Sequence, residues 1–330
     1  MIETDQPVVT FALFAYNQEK YIREAIGGAL DQTYSPLEII LSDDSSTDRT
    51  FEIMQEMVAT YSGAHSIRLN RNPENLGIAK HLNLIMTLVQ SDFVVVAAGD
   101  DVSLSCRTER LVSVWLNSGR KMKSIHSYAA DMNEAGKLTG SVRRGSEDCD
   151  LSSSFVHATL NIDVLGATQA WDMSLVRQFH PFLAPVVNED VILPARASLV
   201  GGILFVSETL VNYRVGVGVS HEISRLRASG DNAVPISVTK RPYYLFLQKF
   251  RDFREYGALP KYLSLFRRSR AMALYPVWLR SGFMSKTKLI FFMRRCPIKY
   301  LIRELIIFKL PVLVVARRNV KLKMVTFLRD

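Results

Sequence analysis

The stretch Val8-Val-Thr-Phe-Ala-Leu-Phe-Ala15 is a short apolar run rich in β-favouring residues, which predicts a buried strand. Residues 21–32 then place apolar side chains on one helical face. The same alternation continues, with strands predicted at 37–42, 67–69 and 93–98 and helices at 51–61 and 82–89. Strands that alternate with amphipathic helices form βαβ units, so we predict an α/β fold with a mostly parallel sheet flanked by helices.

Polar side chains follow three of the predicted strands at the point where each strand ends. These clusters are Tyr16-Asn-Gln-Glu19, Asp43-Asp44 and Asp100-Asp101. Right-handed crossovers align the C-terminal ends of parallel strands along one edge, where open α/β sheets bind ligands. The sequence therefore predicts one crevice that is lined by all three clusters.

The Asp100-Asp101 pair has two interpretations. Adjacent carboxylates repel each other, and a divalent cation that also binds phosphate oxygens would offset this repulsion. Alternatively, one of them caps the helix predicted from Arg107. Similar alternatives hold for Asp43–Asp48, which either cap the next helix or bind a base or ribose. The segment Arg71–Gly77 is either a plain turn or, with Lys80, a contact for a diphosphate.

The 330 residues carry a net charge of +9, and the positive charge is concentrated beyond Phe283. The basic residues there are Lys286, Lys288, Arg294, Arg295, Lys299, Arg303, Lys309, Arg317, Arg318, Lys321, Lys323 and Arg329, against Glu304 and Asp330. Because apolar residues of 298–306 share a helical face, we expect a basic helix that lies on an anionic membrane through 283–330. The alternative is that this face packs on the rest of the protein. No nucleic-acid-binding module is recognisable, so nucleic acid is not an expected partner.

Cysteine usage and hydropathy predict the compartment. Cys106, Cys149 and Cys296 lie far apart without metal-ligand spacing, as expected of reduced thiols. The N-terminus has no secretory-signal pattern, and no stretch reaches the roughly 20 apolar residues that a spanning helix needs. We expect a cytoplasmic protein, peripheral on the inner face of the plasma membrane where the basic end binds lipid.

Taken in order, four motifs resemble the family 2 glycosyltransferases. They are Pro7-Val-Val-Thr-Phe-Ala-Leu-Phe-Ala-Tyr-Asn17, Asp43-Asp-Ser-Ser-Thr-Asp48, Arg71-Asn-Pro-Glu-Asn-Leu-Gly77 and Gly99-Asp-Asp101. The resemblance covers about residues 7–221. It implies a GT-A fold in a catalytic domain of residues 1–225, followed by a basic, mainly helical region of residues 226–330.

The resemblance also implies a donor site for a UDP- or dTDP-type sugar. Its predicted residues are Ala15, Tyr16, Glu19, Asp43 or Asp44, Arg71, Asn75, Lys80 and Asp100. Asp100 and Asp101 would hold Mg²⁺ or Mn²⁺ on the diphosphate, and His221 is a further candidate ligand. Many members of the family have an acidic residue where this chain has Ala98, so the metal site depends on the last two carboxylates.

Asn188-Glu189-Asp190 opens a predicted helix and resembles the Glu-Asp catalytic motif of the family, with Asp190 as general base and Glu189 beside it. A helix N-cap is the alternative interpretation. The implied reaction is inverting transfer of a sugar to a glycan or lipid-linked acceptor in surface polysaccharide synthesis. Trp171 and Asp172 lie where acceptors commonly approach, and the alternative for Trp171 is that it belongs to the core rather than stacking on a sugar.

Two other functions are compatible with a related architecture. A sugar-phosphate nucleotidyltransferase would need a Gly-rich basic loop after the first strand, where this chain has Ala15-Tyr-Asn-Gln18. A non-catalytic nucleotide- or glycan-binding relative would not need a separate base such as Glu189-Asp190.

Overall fold

The structure is a computed structural model that describes residues 6–144, 164–183, 189–218, 245, 248–249, 251–253 and 255–256. The chain divides into two compact units, Met1–Val234 and Pro235–Asp330. The first unit contains every strand of the described residues. In the second unit, the described residues are largely helical and include a hydrogen bond from Gln248 Nε2 to Asp252 Oδ1 of 2.9 Å.

The first unit alternates strands and helices before it becomes mainly β. Its strands are β1 Val9–Ala15, β2 Leu37–Asp43, β3 Ser66–Arg71, β4 Phe93–Ala98, β5 Val102–Ser103, β6 Met122–Met132, β7 Leu138–Arg143, β8 Ala170–Asp172 and β9 Gly202–Arg214. Its helices are α1 Ile22–Leu30, α2 Thr50–Thr60, α3 Ile78–Leu88, α4 Arg107–Asn117, α5 Ser174–Arg177 and α6 Glu189–Val200. A 3-10 turn spans Gly166–Thr168.

The strands form one mixed sheet in the order β3-β2-β1-β4-β8-β6-β9-β5, with β7 paired to β6. The first four strands of this order are parallel, as the βαβ pattern predicts. Beyond β4 the sheet changes direction, because β8 is antiparallel to both β4 and β6. Strand β9 then runs parallel to β6 along most of its length. The predicted α/β class with a mostly parallel sheet and flanking helices is confirmed.

Apolar residues on both faces of β1, β2 and β4 are buried, which is expected for strands covered by helices on both sides. Phe11, Ile39 and Val95 belong to a core cluster that includes Ile26 of α1 and Trp115 of α4. Their neighbours along each strand point to the opposite face. On that face α3 packs, since Ser42 Oγ of β2 lies 2.6 Å from His81 Nε2 of α3.

Candidate donor and catalytic site

The ends of the four parallel strands meet at one edge of the sheet. The Asp44 N–H donates to the Ala15 carbonyl at 2.9 Å, so the segments after β1 and β2 are in direct contact. The Gly99 N–H donates to the Phe14 carbonyl at 2.8 Å, which joins the segment after β4 to the same place. The structure therefore brings the three polar clusters of the sequence together.

The segment after β1 shapes this edge mainly by holding the start of α2. Glu19 Oε2 accepts a hydrogen bond from the Arg49 N–H at 3.1 Å, and Asp48 Oδ1 accepts one from the Thr50 N–H at 3.0 Å. Glu19, expected to contact the nucleoside, thus satisfies a backbone donor at the first turn of a helix. Ala15 is buried, whereas Tyr16 is 43% exposed and presents its ring to solvent at the edge.

The two aspartates after β2 have different surroundings. Asp43 is fully buried and accepts hydrogen bonds from the Ser46 hydroxyl and, at 3.0 Å, from the Ser46 N–H. Asp44 reaches across to the segment after β3. Its Oδ1 accepts from Asn72 Nδ2 at 2.7 Å and from the Leu76 N–H at 2.9 Å, and its Oδ2 accepts from the Gly77 N–H at 2.9 Å. Asp44 therefore fixes the loop that leads into α3.

Arg71 is the predicted donor-site residue whose cationic group is most clearly presented at this edge. Its Nη2 donates to the Ser46 carbonyl at 3.1 Å, and its Nε lies 3.4 Å from Asp43 Oδ2. The guanidinium lies over the Phe51 ring, 5.0 Å from the centroid, while the side chain is still 47% exposed. It is a positioned cation with one side open to a ligand.

Asn75 and Lys80 lie near the start of α3. Asn75 Oδ1 accepts a hydrogen bond from the Gly77 N–H at 3.0 Å, so its side chain stabilises the turn. Gly77 has φ +73°, a conformation that favours glycine, and it directly precedes the helix. Lys80 is exposed in the first turn of α3. Helix α3 begins four residues earlier than the periodicity predicts, and this places Lys80 on the helix rather than in a loop.

A buried arginine, Arg214 of β9, forms hydrogen bonds to both residues of the Asp100-Asp101 pair. The Arg214 N–H donates to Asp101 Oδ1 at 2.8 Å, and Arg214 Nε donates to the Asp100 carbonyl at 2.9 Å. The same guanidinium donates to Glu24 Oε2 of α1 at 2.9 Å and to the Glu134 carbonyl at 2.7 Å. Arg214 thus fixes the turn after β4 against three parts of the fold.

Burial makes the pair electrostatically unfavourable without a cation. Removal from water, together with the charge of Asp100, raises the pKa of Asp101 to about 8. Burial likewise raises the pKa of Asp100, and hydrogen bonding and the charge of Arg214 oppose that rise. A bound divalent cation would reverse both effects.

The pair fits a divalent metal ion that completes its coordination with substrate. In the part of the chain that the structure describes, no group of three or more His, Cys, Asp and Glu side chains is placed to hold a metal by itself. Magnesium commonly binds through one or two carboxylates plus substrate phosphates. Asp100 and Asp101 supply such a donor set, whereas the third predicted ligand, His221, lies outside the described residues.

Glu189 and Asp190 stand at the start of α6 and pack against the turn at Gly166. A Cβ built on Gly166 would lie 3.2 Å from Glu189 Oε1 and 3.8 Å from Asp190 Oδ2. Helix α6 follows the predicted position, although Asn188 of the motif lies outside the described residues. The turn beneath them is joined to β4, because the Val96 N–H donates to the Gln169 carbonyl at 3.2 Å. The second carboxylate pair is therefore linked to the strand that ends at the first.

Trp171 and Asp172, which the sequence places near an acceptor, have structural roles. Asp172 pairs with Phe93, at the start of β4 and at the opposite end of that strand from Asp100, and its carboxylate accepts from Trp115 Nε1 at 3.0 Å. Trp171 is 1% exposed and belongs to the core. Neither residue is placed to meet an acceptor at the donor edge.

No local pattern in the sequence indicates a role for Arg107, and none indicates that Arg214 is buried. Each is at most 1% exposed, and each binds backbone carbonyls that are distant in sequence. The local signal is weak, since Arg107 resembles an ordinary polar residue at the start of a helix.

The basic segment 283–330 lies outside the described residues. Among the residues that are described, no helix is both long and apolar enough to cross a membrane.

Comparison with known proteins identifies relatives of the N-terminal part of the chain. Residues 10–140 match the model of glycosyl transferase family 2. A putative glycosyltransferase of Bacillus subtilis, EpsE, is 36% identical over 107 residues, which are 32% of this chain and 38% of EpsE. The chondroitin synthase of Escherichia coli is 34% identical over 95 residues, 29% of this chain and 13% of that enzyme. The chain thus matches well under two thirds of the length of these relatives.

Solved structures show the same fold. The S. aureus protein TarS 1–349, in complex with UDP-GlcNAc, has a TM-score of 0.56 at 16% identity, over 88% of this chain and 82% of TarS 1–349. The mannosyltransferase PcManGT from Pyrobaculum calidifontis, in complex with GDP-Man and Mn²⁺, has a TM-score of 0.52 at 16% identity, over 91% and 84% of the two chains.

The sheet order, with a carboxylate pair after β4, defines the class of fold as GT-A. In its N-terminal part, residues 10–140, this chain is similar to the family 2 glycosyltransferases.

Proposed function

We propose that this chain transfers a sugar, with inversion, from a nucleoside-diphosphate donor to a hydroxyl of a glycan or lipid-linked acceptor. The supporting observation is that Asp100-Asp101 and Glu189-Asp190 are joined through one turn and one strand, β4. A metal-binding pair for the leaving group and a base for the incoming hydroxyl are the two elements that this reaction requires.

The donor nucleotide would lie along the ends of β1, β2 and β3. Tyr16 offers an exposed ring for the base, and Arg71 offers an oriented cation. Lys80, on the first turn of α3, would face the diphosphate. That TarS was solved with UDP-GlcNAc and PcManGT with GDP-Man supports a nucleotide sugar as donor. For this chain we propose a UDP- or dTDP-type sugar.

Asp100 and Asp101 would hold Mg²⁺ or Mn²⁺ against the donor diphosphate. When bound, the ion stabilises the negative charge that develops on the departing diphosphate. The Mn²⁺ in the PcManGT complex supports this choice of ion class. Arg214, by fixing the turn that contains both carboxylates, would keep the pair oriented without contacting the donor.

Asp190 would act as general base. As the acceptor oxygen forms its bond to the anomeric carbon, the bond from that carbon to the diphosphate oxygen breaks, and the acceptor proton passes to the Asp190 carboxylate. Attack from the side opposite the leaving group inverts the anomeric configuration. Glu189, packed against Gly166, would keep the start of α6 in place.

Surface polysaccharide synthesis is the process we propose for this activity. EpsE is a putative glycosyltransferase, and the chondroitin synthase relative makes a polysaccharide by its name. The basic segment 283–330 would bring the protein to an anionic membrane where lipid-linked acceptors reside. Sedimentation with vesicles of neutral lipid alone, or with added anionic lipid, tests this part independently of catalysis.

The kinetic test is Asp190→Asn, assayed by nucleotide release from UDP-GlcNAc, UDP-glucose, dTDP-glucose and GDP-mannose with water as acceptor. Loss of the base should lower kcat about 10²- to 10⁴-fold on whichever donor the wild type uses. The Kd for the nucleotide should not change, because Asp190 does not contact the donor phosphates in this scheme. Glu208→Gln, an exposed carboxylate paired with Arg110, is the control. An unchanged kcat in Asp190→Asn would contradict the assignment of the base.

A further inference from the structure

Arg107 is a fully buried arginine at the first position of α4. Its Nη1 donates to Ser103 Oγ at 2.8 Å, and its Nη2 donates to the Val96 carbonyl at 2.8 Å. Ser103 follows the Asp100-Asp101 pair by two residues, and Val96 lies in the strand that leads to it. The guanidinium is thus bonded to the chain both before and after the Asp100-Asp101 pair.

The same guanidinium also reaches the turn under Asp190. Nη2 donates to the Ala167 carbonyl at 2.9 Å and to the Gln169 carbonyl at 3.2 Å. Gly166, next to Ala167, is the residue against which Glu189 and Asp190 pack. A single side chain therefore bonds directly to the segment that contains one carboxylate pair and to the turn that supports the other.

A simple packing role does not account for this choice of residue. Burial lowers the pKa of Arg107 to about 9, against the attraction of Asp101, so the charged group is kept here at a cost. An apolar side chain of similar volume could fill the space, but it would leave several carbonyls without this donor. The planar fork of arginine serves carbonyls in several directions, which the single ammonium of lysine does less well.

We propose that Arg107 is a positioning residue that sets the distance between the metal-binding carboxylates and the general base. This inference rests on the function proposed above. In inverting transfer the base and the leaving diphosphate act on opposite sides of one carbon, so the two pairs must keep a fixed separation. A displacement of about 1 Å in such an arrangement lowers the rate on the order of 10²-fold.

The test compares Arg107→Lys and Arg107→Met with a control at the same end of α4. Gln32 is buried and its Oε1 accepts from the Thr108 N–H at 2.9 Å, but none of its hydrogen bonds reaches the turn at 166–169. Gln32→Met thus removes hydrogen bonds at the start of α4 without affecting those that Arg107 makes to the turn at 166–169. For each protein, the Kd for UDP with Mn²⁺ and the kcat for nucleotide release from the donor panel are measured. Amide hydrogen exchange is followed at Thr168 and Gln169.

In both Arg107 variants we expect kcat to fall on the order of 10²-fold, with the Kd for UDP–Mn²⁺ within about twofold of wild type. Exchange at Thr168 and Gln169 should accelerate in these variants, and Arg107→Lys should be the milder of the two. Gln32→Met should leave kcat and this exchange close to wild type at a comparable loss of Tm.

Two results would overturn the proposal. The first is a kcat in the Arg107 variants no lower than in Gln32→Met. The second is a parallel loss of kcat and UDP affinity without faster exchange in the turn. Failure of the wild type to bind any nucleotide or use any donor would instead count against the proposed function. In that case the exchange at Thr168 and Gln169 still decides whether Arg107 holds the turn.

Discussion

Asp44 makes a sharp test of how the donor site is built, because it accepts three hydrogen bonds from the segment after β3. In Asp44→Asn, one carboxylate oxygen becomes an amide that donates. If the remaining oxygen keeps Asn72 and Leu76, the new amide faces the Gly77 N–H. The opposite orientation of the amide loses two bonds instead of one.

The expected cost follows from these contacts. A hydrogen bond to a charged acceptor contributes about 1.5–3 kcal/mol, so the loss of one gives a destabilisation of about 2 kcal/mol. The Gly77 N–H is only 3.0 Å from Asn75 Oδ1, which softens the loss and keeps it near the lower limit. For a domain of this size, about 2 kcal/mol corresponds to a fall in Tm of about 4–8 °C. The loosened loop should also weaken nucleotide binding about tenfold, which corresponds to ~1.4 kcal/mol.

The assay is thermal unfolding together with calorimetric titration of UDP in the presence of Mn²⁺. Asp172→Asn is the matched control, because Asp172 is also a buried carboxylate that accepts from Trp115, Lys123 and the Ser174 N–H, at the other end of β4. It should lose similar Tm and retain the Kd. If Asp44→Asn loses Tm but binds UDP like the control, the loop does not shape the donor site. If it loses affinity with no change in Tm, Asp44 contacts the nucleotide directly.

Three further predictions concern the metal-binding pair. Gly218→Ala should weaken Mn²⁺-dependent UDP binding at least tenfold, because the added Cβ would lie 2.8 Å from Asp100 Oδ2 and Gly218 has φ +77°. The control is Gly216→Ala, which has a similar φ but whose Cβ would lie 3.9 Å from Glu134 Oε1, and it should not weaken binding. Equal losses of affinity in the two variants would show that backbone strain alone is responsible. The Mn²⁺-dependent affinity should rise with pH and level off above about 8, because Asp101 must lose its proton before it ligates. Because the pKa of Asp101 in the folded protein lies above its ordinary value of 3.8, ionisation of Asp101 destabilises the folded state. In the absence of metal, the Tm of Asp101→Asn should therefore be higher than that of wild type, and the difference should grow from about pH 4 to about pH 8. A flat affinity profile, or a Tm difference independent of pH, would contradict this account of Asp101.

The alternation of strands and helices was predictable because each element has its own periodicity. The four parallel strands and the polar clusters at their ends follow from local runs of eight or fewer residues and a general rule of connection. Strands β5 and β8 were not predictable in this way. They contain two and three residues, too few for a period of two to be read.

The division of labour between Asp43 and Asp44 also could not be read from the sequence. Two adjacent aspartates look equivalent in a capping pattern, yet Asp43 accepts hydrogen bonds from the nearby Ser46 and contacts Arg71, whereas Asp44 accepts hydrogen bonds from residues 28 to 33 positions away. Register across parallel strands creates that contact. The sequence pattern therefore could not distinguish an aspartate that binds a nucleoside from an aspartate that fixes the loop before α3.

The buried arginines show the same limit more strongly. Arg107 and the Ala167 carbonyl are 60 positions apart, and Arg214 and Asp101 are 113 positions apart. Neither pairing has a signature in one sequence, because it depends on how β8 and β9 join the sheet. The local sequence therefore indicated the carboxylates, whereas the arginines that orient them became apparent only in the tertiary structure.

The most direct test of the central claim is calorimetric titration of UDP and dTDP, each with and without Mn²⁺, on wild type and on Asp101→Asn. The side-chain oxygen of asparagine can still accept from the Arg214 N–H, so this variant removes the charge while preserving the fold around it. We predict nucleotide binding by the wild type that Mn²⁺ strengthens, and loss of that strengthening in Asp101→Asn. Binding that is equally strong with and without Mn²⁺ in both proteins, or no nucleotide binding by the wild type, would contradict a donor site built on this carboxylate pair.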